Sequence, residues 1–147
     1  MKIVVQKVIS ADVTVNKKQV GKIDKGLMLL VAFTKGDNID TINYMANKVL
    51  NLRIFDDENG IMNLSVLDVN GSILSISQFT LYGDCKKGNR PSYIKALGGE
   101  EASILYDKFN ETLRKNIHVE TGIFGEDMKV SLINDGPTTI IIEKEND

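Results

Sequence analysis

Three polar side chains stand together in one short run near the middle of the chain, Ser77-Gln78-Phe79-Thr80-Leu81. They interrupt apolar positions at the end of a stretch that reads as a buried strand. A strand that only filled a core has no use for Ser, Gln and Thr so close together. The hydroxyls of Ser77 and Thr80 are candidate nucleophiles toward an ester, but a hydroxyl nucleophile needs an adjacent base. The one histidine, His118, sits beside Val119 and Glu120, and nothing in the sequence brings it to Ser77. It reads as an ordinary surface or half-buried histidine. No Gly-x-Ser-x-Gly elbow presents Ser77, so the sequence does not support a serine triad. One His and one Cys do not supply a zinc shell. The acidic turn Asp56-Asp57-Glu58-Asn59-Gly60 lacks the longer ligand alternation and distant Glu of a calcium loop. Phosphate-loop and dinucleotide fingerprints are also absent. No metal or cofactor is expected.

Other residues have both a plain and a chemical reading. Lys86, Lys87 and Arg90 read as a solvated loop, yet directly after the Ser77–Leu81 run they can hold a polyanion near its end. Cys85 beside two lysines can have a lowered pKa; without a partner histidine it reads as incidental. Phe124 and Met128 read as core residues, or as a pair that sandwiches a flat base at the rim of a site. Gly136-Pro137 lies between two strand-like runs. Proline removes a ladder hydrogen bond there and suits an edge or a bulge. The plain reading is a turn. If the bond is cis, the corner turns two carbonyl oxygens outward, able to grip an ammonium or a Cα–H without any side chain.

The elements that must position these residues follow from periodicity. Residues 2–9 read as one strand, and Val13 and Val15 mark a second, half-buried one. Asn16-Lys17-Lys18 is a turn, and Val20–Ile23 returns as a hairpin arm. Leu27–Phe33 is a continuous apolar run, hence a strand buried on both faces. Asp37 or Asn38 caps a helix over about 39–51, with Ile42, Ala46, Val49 and Leu50 at helical spacing. Leu52–Phe55 is short and extended. Leu64–Val69, Asn70-Gly71 and Ser72–Leu81 read as a hairpin, since Asn-Gly favours a type I′ turn. A second helix is predicted over about 100–115, with Ala102, Leu105, Tyr106, Phe109 and Leu113 on one face. Ile117–Thr121 reads as a short strand, 124–128 as a loop, and 129–134 and 138–143 as two strands. The tail Lys144–Asp147 is expected to fray.

The 147 residues fit one domain, 1–147, of the α+β class. The expected architecture is a twisted, mostly antiparallel sheet or partly closed β-barrel, packed by two main helices. A net charge of −2 argues against a protein whose task is coating nucleic acid, so no DNA partner is expected. The longest apolar stretch has a strand's length and is no membrane span. The start of the chain has no signal-peptide pattern, and its single cysteine fits a reducing cytosol.

Taken together, Ser77-Gln78-Phe79-Thr80-Leu81 and Asn134-Asp135-Gly136-Pro137 resemble the paired motifs of the D-aminoacyl-tRNA deacylases, also called D-tyrosyl-tRNA deacylases. The resemblance runs over essentially the whole chain. It includes Val4-Val5-Gln6, Asn51-Leu52-Arg53-Ile54-Phe55, Met62-Asn63-Leu64, Arg90-Pro91-Ser92, Thr121-Gly122 and Phe124-Gly125. It departs at Lys7, where the family usually has Arg, which loosens contacts that hold the Gly-Pro corner, and at Thr138, where Val is usual. The resemblance implies a cytoplasmic homodimer with two active sites at the subunit interface. It implies a cis Gly136-Pro137 bond, the corner of one subunit entering the partner's pocket to exclude L-side chains. The implied reaction is hydrolysis of the ester between a D-amino acid, or glycine, and the acceptor end of tRNA, a chiral proofreading step that recycles tRNA. Ser77, Phe79 and Thr80 would line the ester as catalytic residues, with a backbone N–H near Phe79 for the carbonyl oxygen. Gln78, Gly136, Pro137, Phe124 and Met128 would bind substrate, the last two holding the terminal adenine. Thr80 as covalent nucleophile ranks second, since no base can be named for it. The rival from another class is a non-catalytic nucleic-acid-binding module built on Lys86, Lys87 and Arg90.

Overall fold

The structure is a computed structural model that describes residues 1–146. Its central element is β1 (Lys2–Val15), a single 14-residue strand where the sequence suggested two. Its burial alternates along most of its length; the buried side chains of its first half, Ile3 and Val5, meet the helices, and Ala11 and Val13 of its second half pack within the sheet. β2 (Lys18–Ile23) returns beside its second half after the Asn16-Lys17 turn, where both residues take positive φ. β3 (Gly26–Ala32) pairs with the first half and is buried on nearly all sides, as its unbroken apolar run requires.

Helix α1 (Ile39–Asn51) starts at Asn38, whose side-chain oxygen accepts the N–H groups of Asp40 and Thr41 at 3.0 and 3.1 Å. Thr41 closes the box by accepting the Asn38 N–H. Such a cap contributes about 1 kcal/mol. The helix buries Ile42, Met45, Ala46, Val49 and Leu50 and ends where Leu52 turns extended. β4 (Phe55–Asp56) and β5 (Met62–Leu64) form a small two-stranded sheet.

The predicted hairpin across Asn70-Gly71 does not form. Residues 66–70 are turns, and β6 (Ser72–Ser77) pairs in parallel with β3 and with β7 (Val119–Thr121). Asn70 takes a positive φ of 53°, but Gly71 does not share it, so the paired backbone of a type I′ turn is missing. β6 also stops at Ser77. Residues Phe79–Tyr82 wind into a 3₁₀ turn, so the Ser77–Leu81 run is a strand end plus a turn rather than one strand.

Helix α2 (Gly99–Arg114) places Glu100 and Glu101 in its first turn, where they favour the helix dipole, and buries Ala102, Tyr106, Phe109 and Leu113. β8 (Lys129–Glu143) runs along the whole of β1 as one strand with an excursion in it, rather than as two strands. In the tail, the Lys144 N–H donates to the Met1 carbonyl, and the Asn146 amide donates to Asp37. Asp147 lies outside the described residues.

The result is a mixed sheet, nearly closed into a barrel, with both helices on one side. β2 curls back until Gly21 lies against the carbonyl of Thr121 in β7. The larger core joins Ile3, Val5, Leu29, Val31, α1 and α2, and a smaller one joins Val8, Val13, Met28, Leu74 and Ile76. No helix is long and apolar enough to cross a membrane among the described residues.

Candidate active site

A cavity of about 620 Å³ opens at the end of β3 and β6. Gln6, Met28 and Leu30 line it from the sheet, and Ser77, Gln78 and Phe79 from the strand end and the start of the 3₁₀ turn. Leu97, Gly98 and Ala102 close it on the α2 side. Phe124–Met128, Val130 and Leu132 close it on the other. The fold therefore brings together five of the residues singled out in the sequence: Ser77, Gln78, Phe79, Phe124 and Met128.

Packing explains how they are held. The Gln78 N–H donates to the Val31 carbonyl at 2.8 Å, which fixes the point where β6 gives way to the turn. Gln78 makes no side-chain cap bond, so the first N–H groups of the turn are left for another acceptor. Phe124 leans on Tyr106, with ring centroids 5.9 Å apart. Tyr106 is itself anchored: its hydroxyl donates to the Ser75 carbonyl at 2.6 Å, and burial pushes its pKa up, keeping it a neutral donor. Gly122 lets Met128 lie close, since a Cβ there would collide with the Met128 sulfur.

Other candidates stand outside this wall. Thr80 is exposed, and its hydroxyl donates to the Gln78 side chain. His118 is on the surface beside Glu120, 3.2 Å away, and is no base for Ser77. Cys85 is a free, exposed thiol. No cluster of metal-ligating side chains occurs among the described residues.

The Gly136-Pro137 corner is exposed and does not line its own chain's cavity. The bond is cis. Gln6 pairs with Thr139 and Val8 with Asn134, so β1 advances by Lys7 alone while β8 makes the whole excursion 135–138. Gly136 has φ +117°, a conformation that favours glycine, and a Cβ there would come 2.7 Å from the Thr138 hydroxyl. Asn134 clasps the excursion. Its amide donates to the Lys7 carbonyl and to the Thr138 carbonyl, both at 2.9 Å. The Thr139 hydroxyl donates to its side-chain oxygen at 3.3 Å. Lys7 thus supports the corner through its main chain, and its buried ammonium lies 5.9 Å from the Phe55 ring.

A solved structure described as a probable eukaryotic D-amino acid tRNA deacylase superposes with TM-score 0.83 at 18% identity, covering 96% of this chain and 97% of the other. That likeness establishes the fold. The sequence establishes the family. The D-Tyr-tRNA(Tyr) deacylase family model matches residues 4–143, and the chain belongs to that family. A D-aminoacyl-tRNA deacylase of Clostridium botulinum (strain 657 / Type Ba4) is 56% identical over 144 residues, 97% of each chain. One of Clostridium novyi (strain NT) is 51% identical, covering 100% of this chain and 99% of its own. A c-Myc DNA unwinding element binding protein shares the structure with TM-score 0.94 at 40% identity, covering 99% of this chain and all of its own.

Sequence reasoning missed Leu97, Gly98 and Ala102, which reach the cavity only through the docking of α2. It also missed Gln6 as a wall residue. A signal existed there, a lone amide in the Ile- and Val-rich start of β1.

Proposed function

We propose that the cavity holds the aminoacylated 3′ end of tRNA and hydrolyses its ester. The chain is a hydrolase that cleaves the bond between a D-amino acid and tRNA. Water adds to the ester carbonyl, the bond to the ribose oxygen breaks, and that oxygen takes the proton. An aminoacyl ester on ribose is already activated, and the neighbouring ribose hydroxyl can assist. Positioning plus one or two oxyanion donors then supply the acceleration. The observation that carries this reading is the cavity wall itself. Ser77, Gln78 and Phe79 face Phe124 and Met128 across a space with room for an adenosine and its ester, while the one histidine stays outside.

In this reading Ser77 and the backbone at Phe79 hold the ester, Gln78 orients it, and Phe124 and Met128 sandwich the terminal adenine. Thr80 supports the turn by its bond to Gln78. The chiral choice falls to Gly136 and Pro137 of a second copy, because the corner is exposed and does not line its own cavity. Glycine, without a side chain, would pass the same filter. β8 supports the homodimer. It pairs only with β1 among the described residues, and its Ile133 and Ile141 are 57% and 66% exposed. A long edge strand with bare isoleucines calls for a cover. A protein acting on tRNA would work in the cytoplasm.

The name of one relative, citing a DNA element, raises a second reading, a nucleic-acid-binding module. A binding module alone leaves the cavity and the corner without a task. Release of free tRNA from D-tyrosyl-tRNA on incubation with the protein supports the deacylase reading, and no release sinks it.

A further inference from the structure

The loop between the 3₁₀ turn and α2, residues 83–98, carries four cations, Lys86, Lys87, Arg90 and Lys95, against one carboxylate, Asp84. The whole chain has net charge −2, so this segment is opposite in sign to the rest. All four cations are exposed, and none is in a salt bridge among the described residues. The lone carboxylate is engaged locally, accepting the Lys86 N–H at 2.9 Å.

The loop is braced. Asp84 and Ser92 exchange backbone hydrogen bonds of 2.8 and 2.9 Å, the Leu97 N–H donates to the Phe33 carbonyl at 2.9 Å, and the Thr34 hydroxyl donates to the Lys95 carbonyl. Exposed apolar side chains stand beside it. Tyr93 and Phe79 meet edge to face, ring centroids 5.1 Å apart, and are 40% and 54% exposed. Beside them Ile94 is 92% exposed.

This surface adjoins the active-site cavity. Phe79, Leu97 and Gly98 line that cavity, while Lys86 and Lys95 line a second one of about 610 Å³ on the other side of the 3₁₀ turn. Phe79 lines the cavity and meets Tyr93, and the cations stand on the same loop as Tyr93. Aromatic faces stack on bases that are unpaired, and cations track the backbone beside them. A duplex hides its base faces, so the pairing of the two features favours a single strand.

We propose that loop 83–98 holds the single-stranded 3′ end of the tRNA substrate. An unpaired base stacks on the Phe79–Tyr93 pair, and Lys86, Lys87 and Arg90 neutralise the phosphates that follow. This rests on the deacylase reading of the cavity.

The test uses the full chain with Lys86→Ala, Lys87→Ala and Arg90→Ala combined. Three substrates carry the same D-tyrosyl ester: adenosine, the CCA trinucleotide and whole tRNA. The expected result is a KM raised by about tenfold or more for the trinucleotide and the tRNA, with kcat unchanged. The adenosine ester, which has no phosphate, should be hydrolysed as by the wild type. The slope of log KM against log salt should fall by about 2 on whole tRNA, for three phosphates at ~0.7 each, and by about 1.4 on the trinucleotide, which has two. Equal KM values for wild type and variant on all three substrates would overturn the proposal. So would a loss confined to whole tRNA, which puts the loop on the duplex. If the wild type hydrolyses none of them, the deacylase reading fails on its own. Equilibrium binding of uncharged tRNA at several salt concentrations then decides the loop's role: a weaker, less salt-dependent Kd in the variant supports it, and an unchanged Kd overturns it.

Discussion

Thr80 shows how residue type and residue position can disagree. As a hydroxyl in a polar run it invites the role of nucleophile. In the structure it is exposed, outside the cavity wall, and bonded to Gln78. Thr80→Ala is therefore expected to keep kcat within about tenfold of wild type in single-turnover deacylation. Loss of a true nucleophile costs on the order of a millionfold in a serine hydrolase, so the outcomes are well separated. Ser77, Phe79, Phe124 and Met128 were legible as a candidate set because chemistry-bearing side chains interrupt apolar runs. Their convergence was not legible, because it depends on β6 ending at Ser77 and on Tyr106 propping Phe124.

At the scale of elements, local signals were read well and non-local ones poorly. The Asn38 cap and the apolar faces of α1 and α2 are set by neighbours three and four residues apart, so the sequence displays them. The parallel pairing of β6 with β3 and β7 links distant segments, and Asn70-Gly71 pointed to a hairpin instead. The same holds for the corner in β8. Its turn residues were visible, whereas the clasp by Asn134 on Lys7 and Thr138 was not. Asn134→Ala removes two donated hydrogen bonds and should lower stability by about 1–3 kcal/mol. It should also cut the preference for D over L substrates by about tenfold or more, since the corner shifts. A variant that melts lower but keeps full preference would show the clasp to be structural only. Between α2 and β6, the Tyr106 hydroxyl gives a pH prediction. Burial raises its pKa above the ordinary 10.0, so the folded state binds that proton more tightly than the unfolded one. Its contribution is full below pH 10 and is lost as pH rises through the folded value. Tyr106→Phe should flatten the alkaline fall of Tm relative to wild type.

At the scale of the whole molecule, one chain presents a cavity and an exposed corner that does not line it. Two copies complete each other if β8 meets β8 or its surroundings across an interface. Ile133→Asp with Ile141→Asp should sediment as a monomer and lose deacylation by about a hundredfold or more. A monomeric variant with full activity would contradict the shared site. Nothing local in the sequence signals such an assembly; the isoleucines of β8 look like core residues until the strand is seen to lack a second partner among the described residues.

The central claim is chiral: the cavity takes the ester, and a backbone corner admits one hand. Rates of tRNA release from D-tyrosyl-tRNA and L-tyrosyl-tRNA, measured side by side with the same protein, test it most directly. The account predicts rapid release from the D-ester and release from the L-ester no faster than in buffer. Equal rates on the two, or no release from either, would contradict it.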